Sequence, residues 1–306
     1  MIKPLILQRA DPFLTKHNGM YYFTASVPQF DRIEIRAAKK IKKLSKAKPR
    51  TIWTKRETGI MSEHIWAPEM HLIDGKWYIY FAASQADNKW ELRPYALKCQ
   101  GDPMTNEWEE AGPMIGAEGD DAFTDFSLDG TVFDHNGERY FVWAEKVGKQ
   151  FGISNIYIAA METPTKLKSK RVLIATPTHD WETVDFHVNE GASVIKHGRK
   201  IHIVFSASAT GAMYCMGLLS ADENSDLLIP ESWHKDPMPI FSTDPSKVLY
   251  GPGHNSFCED ENGKPICIFH ARQYEKIVGD PLYDHNRHTY IMKYEFDKDG
   301  KIKFLL

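Results

Sequence analysis

Cysteine is scarce in this chain: four among 306 residues, Cys99, Cys215, Cys258 and Cys267, none in a CxxC pair. That spacing offers neither a zinc knuckle nor a redox motif, and free buried thiols are expected. No apolar stretch reaches the about 18 residues needed to span a bilayer, so no membrane partner is expected. An excess of one charge is also missing. Lys and Arg number 38 against 41 Asp and Glu, a net charge of −3 with His neutral. Duplex binding needs a strong basic excess to displace counterions, so no nucleic-acid partner is expected. The one basic run, Lys39 to Lys48, reads as a solvated face or hairpin tip. The opening MIKPLILQRADPF has a very short apolar run and no small-residue cleavage site, unlike a signal peptide. The expected location is the cytoplasm, or outside the cell had a leader been removed. A sustained 3.6-residue apolar period is lacking throughout, which argues against a helical fold.

What is present is a repeat. Five segments share a short apolar stretch, a turn with Gly, and an alternating aromatic strand: DPFLTKHNGMYYFTAS, APEMHLIDGKWYIYFAAS, DGTVFDHNGERYFVWAE, EGASVIKHGRKIHIVFSAS and NSFCEDENGKPICIFHAR. The turn glycines Gly19, Gly75, Gly137, Gly198 and Gly263 lie 56, 62, 61 and 65 residues apart. Asn-Gly and Asp-Gly pairs favour the left-handed backbone of tight hairpins. A third apolar strand and a less regular fourth follow in each unit. Four short strands per repeat predict an all-β fold: a five-bladed β-propeller with four-stranded blades around a central channel, one domain over residues 1–306. The tail from Ile302 to Leu306 is expected to pair with residues near Leu5, Ile6 and Leu7 and so close the ring.

Eight residues before each turn glycine stand Asp11, Ala67, Asp129, Glu190 and Asn255. Equivalent residues of inner strands converge near a propeller axis, and buried acids there need a partner or a purpose. Three readings stay open on the residues alone: caps for backbone N–H groups, a carboxylate cage for a metal, or glycoside hydrolysis. The last uses a pair of carboxylic acids across the scissile bond, one protonated and one ionised. Crowding at the axis would push such pKa values apart.

The segments Arg9-Ala10-Asp11-Pro12-Phe13, Ser127-Leu128-Asp129-Gly130-Thr131 and Val188-Asn189-Glu190-Gly191-Ala192 together resemble glycoside hydrolase family 43, over essentially the whole chain. The resemblance implies a five-bladed propeller with inverting chemistry. It casts Asp11 as general base, Asp129 as the residue that tunes and orients the acid, and Glu190 as general acid. It also places His64 and Trp66 of the His-Ile-Trp-Ala-Pro-Glu segment in the pocket, with Asn155, Arg272 and Phe30 as further substrate contacts. It puts His254 near a central cation, a structural calcium that the chemistry itself does not require and that is held largely through water. Calcium prefers oxygen ligands, so one His is an unusual direct partner. The stretches Ala25–Pro28 and Asp31–Glu34, with the Trp66 segment, look like the branch that removes terminal L-arabinofuranose from α-1,5-linked arabinan or arabino-oligosaccharides. A β-xylosidase, an endo-arabinanase and a non-catalytic sugar-binding propeller are the alternatives. Oligomeric state is left open.

Overall fold

A computed structural model describes residues 2–148, 152–298 and 300–305. Its strands form five antiparallel sheets, each built from consecutive chain. Blade one has strands Ala10–His17, Met20–Ser26, Arg32–Ala38 and Arg50–Thr54. Blade two runs from Glu63–Ile73 through Lys76–Gln85 and Asn88–Gln100 to Glu109–Pro113. In blade three, Ser127–His135, Glu138–Val147 and Ile153–Thr163 are followed by short pieces Lys166–Leu167 and Val172–Ala175, both paired to the third strand. Blade four comprises Asn189–His197, Lys200–Ala207, Cys215–Asp222 and His234–Lys235, and blade five Tyr250–Glu259, Pro265–Arg272, His288–Phe296 and Ile302–Leu305. The expected five-bladed propeller is the observed fold.

The alternating aromatic strands bury both faces because each blade is sandwiched between two neighbours. Every junction has its own core. Trp77, Phe81 and Ile33 pack between blades one and two; Phe141, Trp143 and Tyr80 between two and three. Ile203 and Phe205 meet Ile156 and Ile158 between three and four, and Phe269 and Tyr290 meet Met216 between four and five. Leu14 and Phe23 meet Ile266 and Ile268 where blade five returns to blade one.

The ring closes differently from the expectation. The tail Ile302–Leu305 pairs with His288–Phe296 as the outer strand of blade five, not with Leu5–Leu7; Leu306 lies outside the described residues. The N-terminal segment instead bridges Thr289: its N–H donates to the Ile6 carbonyl (2.9 Å) and its carbonyl accepts from Leu5 (2.8 Å). Lys293 and Phe296 are already paired with Leu305 and Ile302, so the N-terminal segment meets that outer edge only ahead of them, at Thr289.

One irregularity recurs in every inner strand and positions the site. Opposite a single residue of the second strand, the inner strand carries two: Asp11-Pro12, Ala67-Pro68, Asp129-Gly130, Gly191-Ala192 and His254-Asn255. These are β-bulges, and the first residue of each has a positive φ: 52° at Asp11, 46° at Ala67, 56° at Asp129, 58° at Gly191 and 46° at His254. Left-handed backbone costs a non-glycine residue about 1–3 kcal/mol and persists only where the surroundings enforce it.

The bulges correct the eight-residue count. In blades one to three the hairpin turns are Asn18-Gly19, Asp74-Gly75 and Asn136-Gly137, with both residues at positive φ. In blade four the turn is Gly198-Arg199, flanked by the paired His197 and Lys200, so the glycine comes first instead of second. The true equivalents of Asp11 and Asp129 are therefore Gly191 and His254. Glu190 lies one residue before its bulge, and Asn255 is the second residue of its own.

Candidate active site

Three carboxylates from three blades gather around one imidazole. His254 Nδ1 lies 3.3 Å from Asp11 Oδ1 and 3.8 Å from Asp129 Oδ2. Asp129 Oδ2 also accepts the Gly191 N–H at 3.0 Å, so it grips the strand that carries Glu190. Gly191 lets its strand approach the His254 ring closely. A Cβ on it would stand 3.2 Å from the His254 ring, at a φ few side chains adopt. Glu190 Oε1 accepts the Tyr214 hydroxyl at 2.9 Å. Its neighbour Asn189 is anchored in turn: Nδ2 donates to Glu182 Oε1 (3.0 Å), and the fully buried Glu182 pairs with Lys235 Nζ at 2.8 Å.

Asp11 is the most heavily held of the three. Ser26 Oγ donates to its Oδ2 at 2.5 Å, and Arg287 Nη1 lies 3.4 Å from Oδ1. Burial alone would raise its carboxyl pKa. The charges of His254 and Arg287 outweigh that and hold Asp11 well below the usual carboxylate range. Asp129 moves the other way: burial, then repulsion from Glu190 and Asp11, raises it well above its ordinary value despite His254. Glu190 is also raised, by burial and by Asp11, against the pull of His254 and the Tyr214 hydrogen bond. Burial disfavours the His254 charge, but Asp129, Asp11, Glu190 and Glu69 outweigh it and raise that pKa. The site thus offers one firmly ionised carboxylate and a carboxyl pair inclined to keep a proton. Acid–base hydrolysis needs that division.

The other expected residues divide into two groups. Phe30, His64 and Trp66 come together as an aromatic wall: His64 stacks on Trp66 with centroids 4.4 Å apart, and Phe30 meets Trp66 edge-on at 5.6 Å. Arg272 lies apart from them, buried, with its guanidinium held by backbone carbonyls. Its Nη1 donates to the Thr210 carbonyl (2.5 Å) and its Nη2 to Pro281 (2.9 Å), tying down two loops. The guanidinium beside a candidate carboxylate belongs to Arg287. Asn155 is buried, with Nδ2 3.4 Å from the Tyr157 hydroxyl and Oδ1 without a protein partner.

Sequence reasoning missed Ser26 and Tyr214, which reach Asp11 and Glu190 from within the same blade, and His270 and Arg287, which reach Asp11 from blade five, more than 250 residues away in sequence. It also missed Trp90, 59% exposed beyond the Gln85–Asn88 turn, whose ring centroid is 5.2 Å from that of His64. Among the described residues no group of three or more His, Cys, Asp or Glu is arranged to hold a metal. The donors near the expected cation are the His254 imidazole and Asn255, whose buried Oδ1 and Nδ2 both lack protein partners. That set fits an ion whose shell is mostly water, and no more than that.

Residues 2–302 match the model of glycosyl hydrolases family 43. The chain belongs to that family. Within family 43, it is 45% identical over 304 residues to an extracellular exo-α-(1→5)-L-arabinofuranosidase of Streptomyces avermitilis, covering 98% of this chain and 62% of that protein. An enzyme of the same name from Streptomyces chartreusis is 42% identical over 281 residues, covering 91% of this chain and 84% of the other. The chain thus spans less than two thirds of the first relative. The crystal structure of an α-L-arabinofuranosidase from Lactobacillus brevis superposes with a TM-score of 0.93 at 45% identity, covering 98% and 95% of the two chains. No helix among the described residues is long and apolar enough to cross a membrane. Both Streptomyces relatives are named extracellular, so the cytoplasmic expectation finds no support among them.

Proposed function

We propose that this chain is an inverting, exo-acting α-L-arabinofuranosidase that releases terminal L-arabinofuranose from α-1,5-linked arabinan or arabino-oligosaccharides. The observation that carries this reading is that Asp11 and Asp129 meet at His254 while Asp129 holds the strand bearing Glu190 through Gly191, in a chain 45% identical to an enzyme of that name. In this reading Asp11, held ionised, takes a proton from water as the water attacks the anomeric carbon. Glu190 gives its proton to the leaving oxygen. Asp129 keeps the Glu190 proton in place by repulsion and fixes the strand through Gly191. Inverting enzymes separate base and acid by about 6.5–9.5 Å so that water fits between them. Phe30, His64 and Trp66 supply the apolar wall against which a furanose ring packs, and Asn155 remains a proposed hydrogen-bonding partner. A calcium ion beside His254 belongs to this reading as a structural element, and no chemical step passes through it. The relatives' names favour action outside the cell.

The test is a panel of linear arabinan, arabino-oligosaccharides, aryl α-L-arabinofuranoside and aryl β-D-xyloside. Release of arabinose alone, one residue at a time, with the β-anomer formed first by NMR, is expected. Release of xylose in preference, or of internal oligosaccharides, would replace the substrate assignment; a retained anomer would replace the mechanism.

A further inference from the structure

The strained bulges are held by a hydrogen bond that repeats around the ring. In blades one, four and five, a second-strand residue faces the position just before the bulge: Ser26 opposite Ala10, Ser206 opposite Glu190, His270 opposite Gly253. Each accepts the backbone N–H of the next blade's bulge residue. Ser26 Oγ takes Ala67 N at 2.8 Å, Ser206 Oγ takes His254 N at 2.7 Å, and His270 Nδ1 takes Asp11 N at 3.1 Å. Asp129 does the same for Gly191 with its own side chain. Two of the three acceptors are hydroxyls. The third is an imidazole, and it serves the residue read as the base.

The chemistry of His270 follows from its contacts. A backbone N–H can only donate, so Nδ1 must present a lone pair to Asp11 N. Nδ1 also lies 3.4 Å from Asp11 Oδ1, but that oxygen has Arg287 and His254 as alternative partners. A neutral ring accepting at Nδ1 carries its hydrogen on Nε2, which is buried and has no protein partner. Tyr214 lies parallel to the ring, 2° from coplanar with centroids 5.6 Å apart, and fixes its plane. Burial and Arg287 lower the His270 pKa to about 3, so the ring is neutral at working pH.

We propose that His270 is a positioning residue: neutral and protonated on Nε2, it holds Asp11 in left-handed backbone by accepting its N–H, and so aims the Asp11 carboxylate at the reacting water. This rests on the reading of Asp11 as general base, and the experiment separates the two. Nitrogen-15 NMR of the full chain at neutral pH is expected to show His270 Nδ1 bare and Nε2 protonated; a protonated Nδ1 would overturn the proposal whatever the activity. His270→Leu is expected to lower kcat on an aryl α-L-arabinofuranoside by about 10²-fold with KM little changed, the cost of misplacing a reacting group by about an ångström. His270→Asn puts an acceptor where Nδ1 stood and is expected to recover about ten-fold of that loss. Equal losses in both variants at matched Tm, or a loss confined to KM, would overturn it. A wild-type chain inactive on every arabinoside would overturn the function reading alone, leaving the tautomer to decide this one.

Discussion

Asp129 accepts the backbone N–H of Gly191 at 3.0 Å, so one candidate carboxylate holds the strand that presents the other. Asparagine keeps an acceptor at that point and removes the charge. Asp129→Asn should therefore fold, while activity on arabinan falls about 10²-fold because the acid's proton is less well kept. Its stability should change in a pH-dependent sense. The Asp129 pKa is raised in the folded chain above its ordinary 3.8, so ionising it costs folded-state stability as pH rises through the folded value; below the ordinary value that cost is absent. The Tm gain from Asp129→Asn should grow as pH rises above the ordinary 3.8, read by calorimetry. A gain that shrinks with rising pH would contradict the raised pKa.

Leaving-group chemistry separates base from acid. Glu190→Ala should lose about 10²–10⁴-fold on arabinan but far less on an aryl arabinofuranoside, whose acidic leaving group needs little protonation. Asp11→Ala should lose heavily on both, because nothing else activates water. Equal losses across leaving groups in the two variants would reverse or remove the assignments.

Trp90 stands 59% exposed beside the His64–Trp66 stack, where a further sugar unit has an aromatic face to lie on. Trp90→Ala should raise KM for arabino-oligosaccharides roughly five-fold, the worth of about 1 kcal/mol of stacking, with kcat nearly unchanged. Steady-state kinetics on oligomers of increasing length would check it, and a loss seen only in kcat would remove Trp90 from the binding surface.

The Glu182–Lys235 pair is a structural prop for Glu190 through Asn189. Glu182 is fully buried and accepts from Lys235, Asn189 and the Thr178 and His179 N–H groups. Lys235→Met strands that carboxylate and should cost about 3–5 kcal/mol in denaturant unfolding. Glu182→Gln with Lys235→Met should restore part of it, since both charges are then gone. No recovery in the double variant would mean the pair's charge is not what the site needs.

The five-fold repeat was legible because hairpin turns leave a local mark: Asn18-Gly19, Asp74-Gly75 and Asn136-Gly137 need left-handed backbone at both positions, which few residue pairs tolerate. The bulges were not legible. Their first residues include Asp, Ala and His, whose left-handed backbone is imposed by neighbours in other blades and not by their own preference. Blade four shows the consequence. Its turn glycine comes first, at Gly198, and counting back from it landed on Glu190, the residue before the bulge. Glu190 was reached through a one-residue misalignment, and Asp11 and Glu190 are not related by the repeat. Arg272 and Arg287 make the same point. Two arginines fifteen positions apart look alike in sequence, and only the fold brings Arg287, just ahead of the third strand of blade five, to Asp11 while the Thr210 and Pro281 carbonyls occupy Arg272.

The way the ring closes sets its order of failure. Blade five is finished by its own tail, so the inner strand of blade one meets it without a shared strand. Beyond the Leu5 and Ile6 bridge, the contacts at that junction are made by side chains: His270 to Asp11, Ser256 to Pro12 and Leu14, His288 to Gln8. At every other junction the chain itself runs from one blade into the next; here non-covalent contacts alone join the two blades, and elements held this way open locally at lower free energy. Hydrogen exchange should be fastest along Ala10–Leu14 among the five inner strands, and Asp11 lies in that stretch. Mild denaturant should then silence the enzyme while its β-sheet signal is still intact, and removing the denaturant should restore activity without a refolding step.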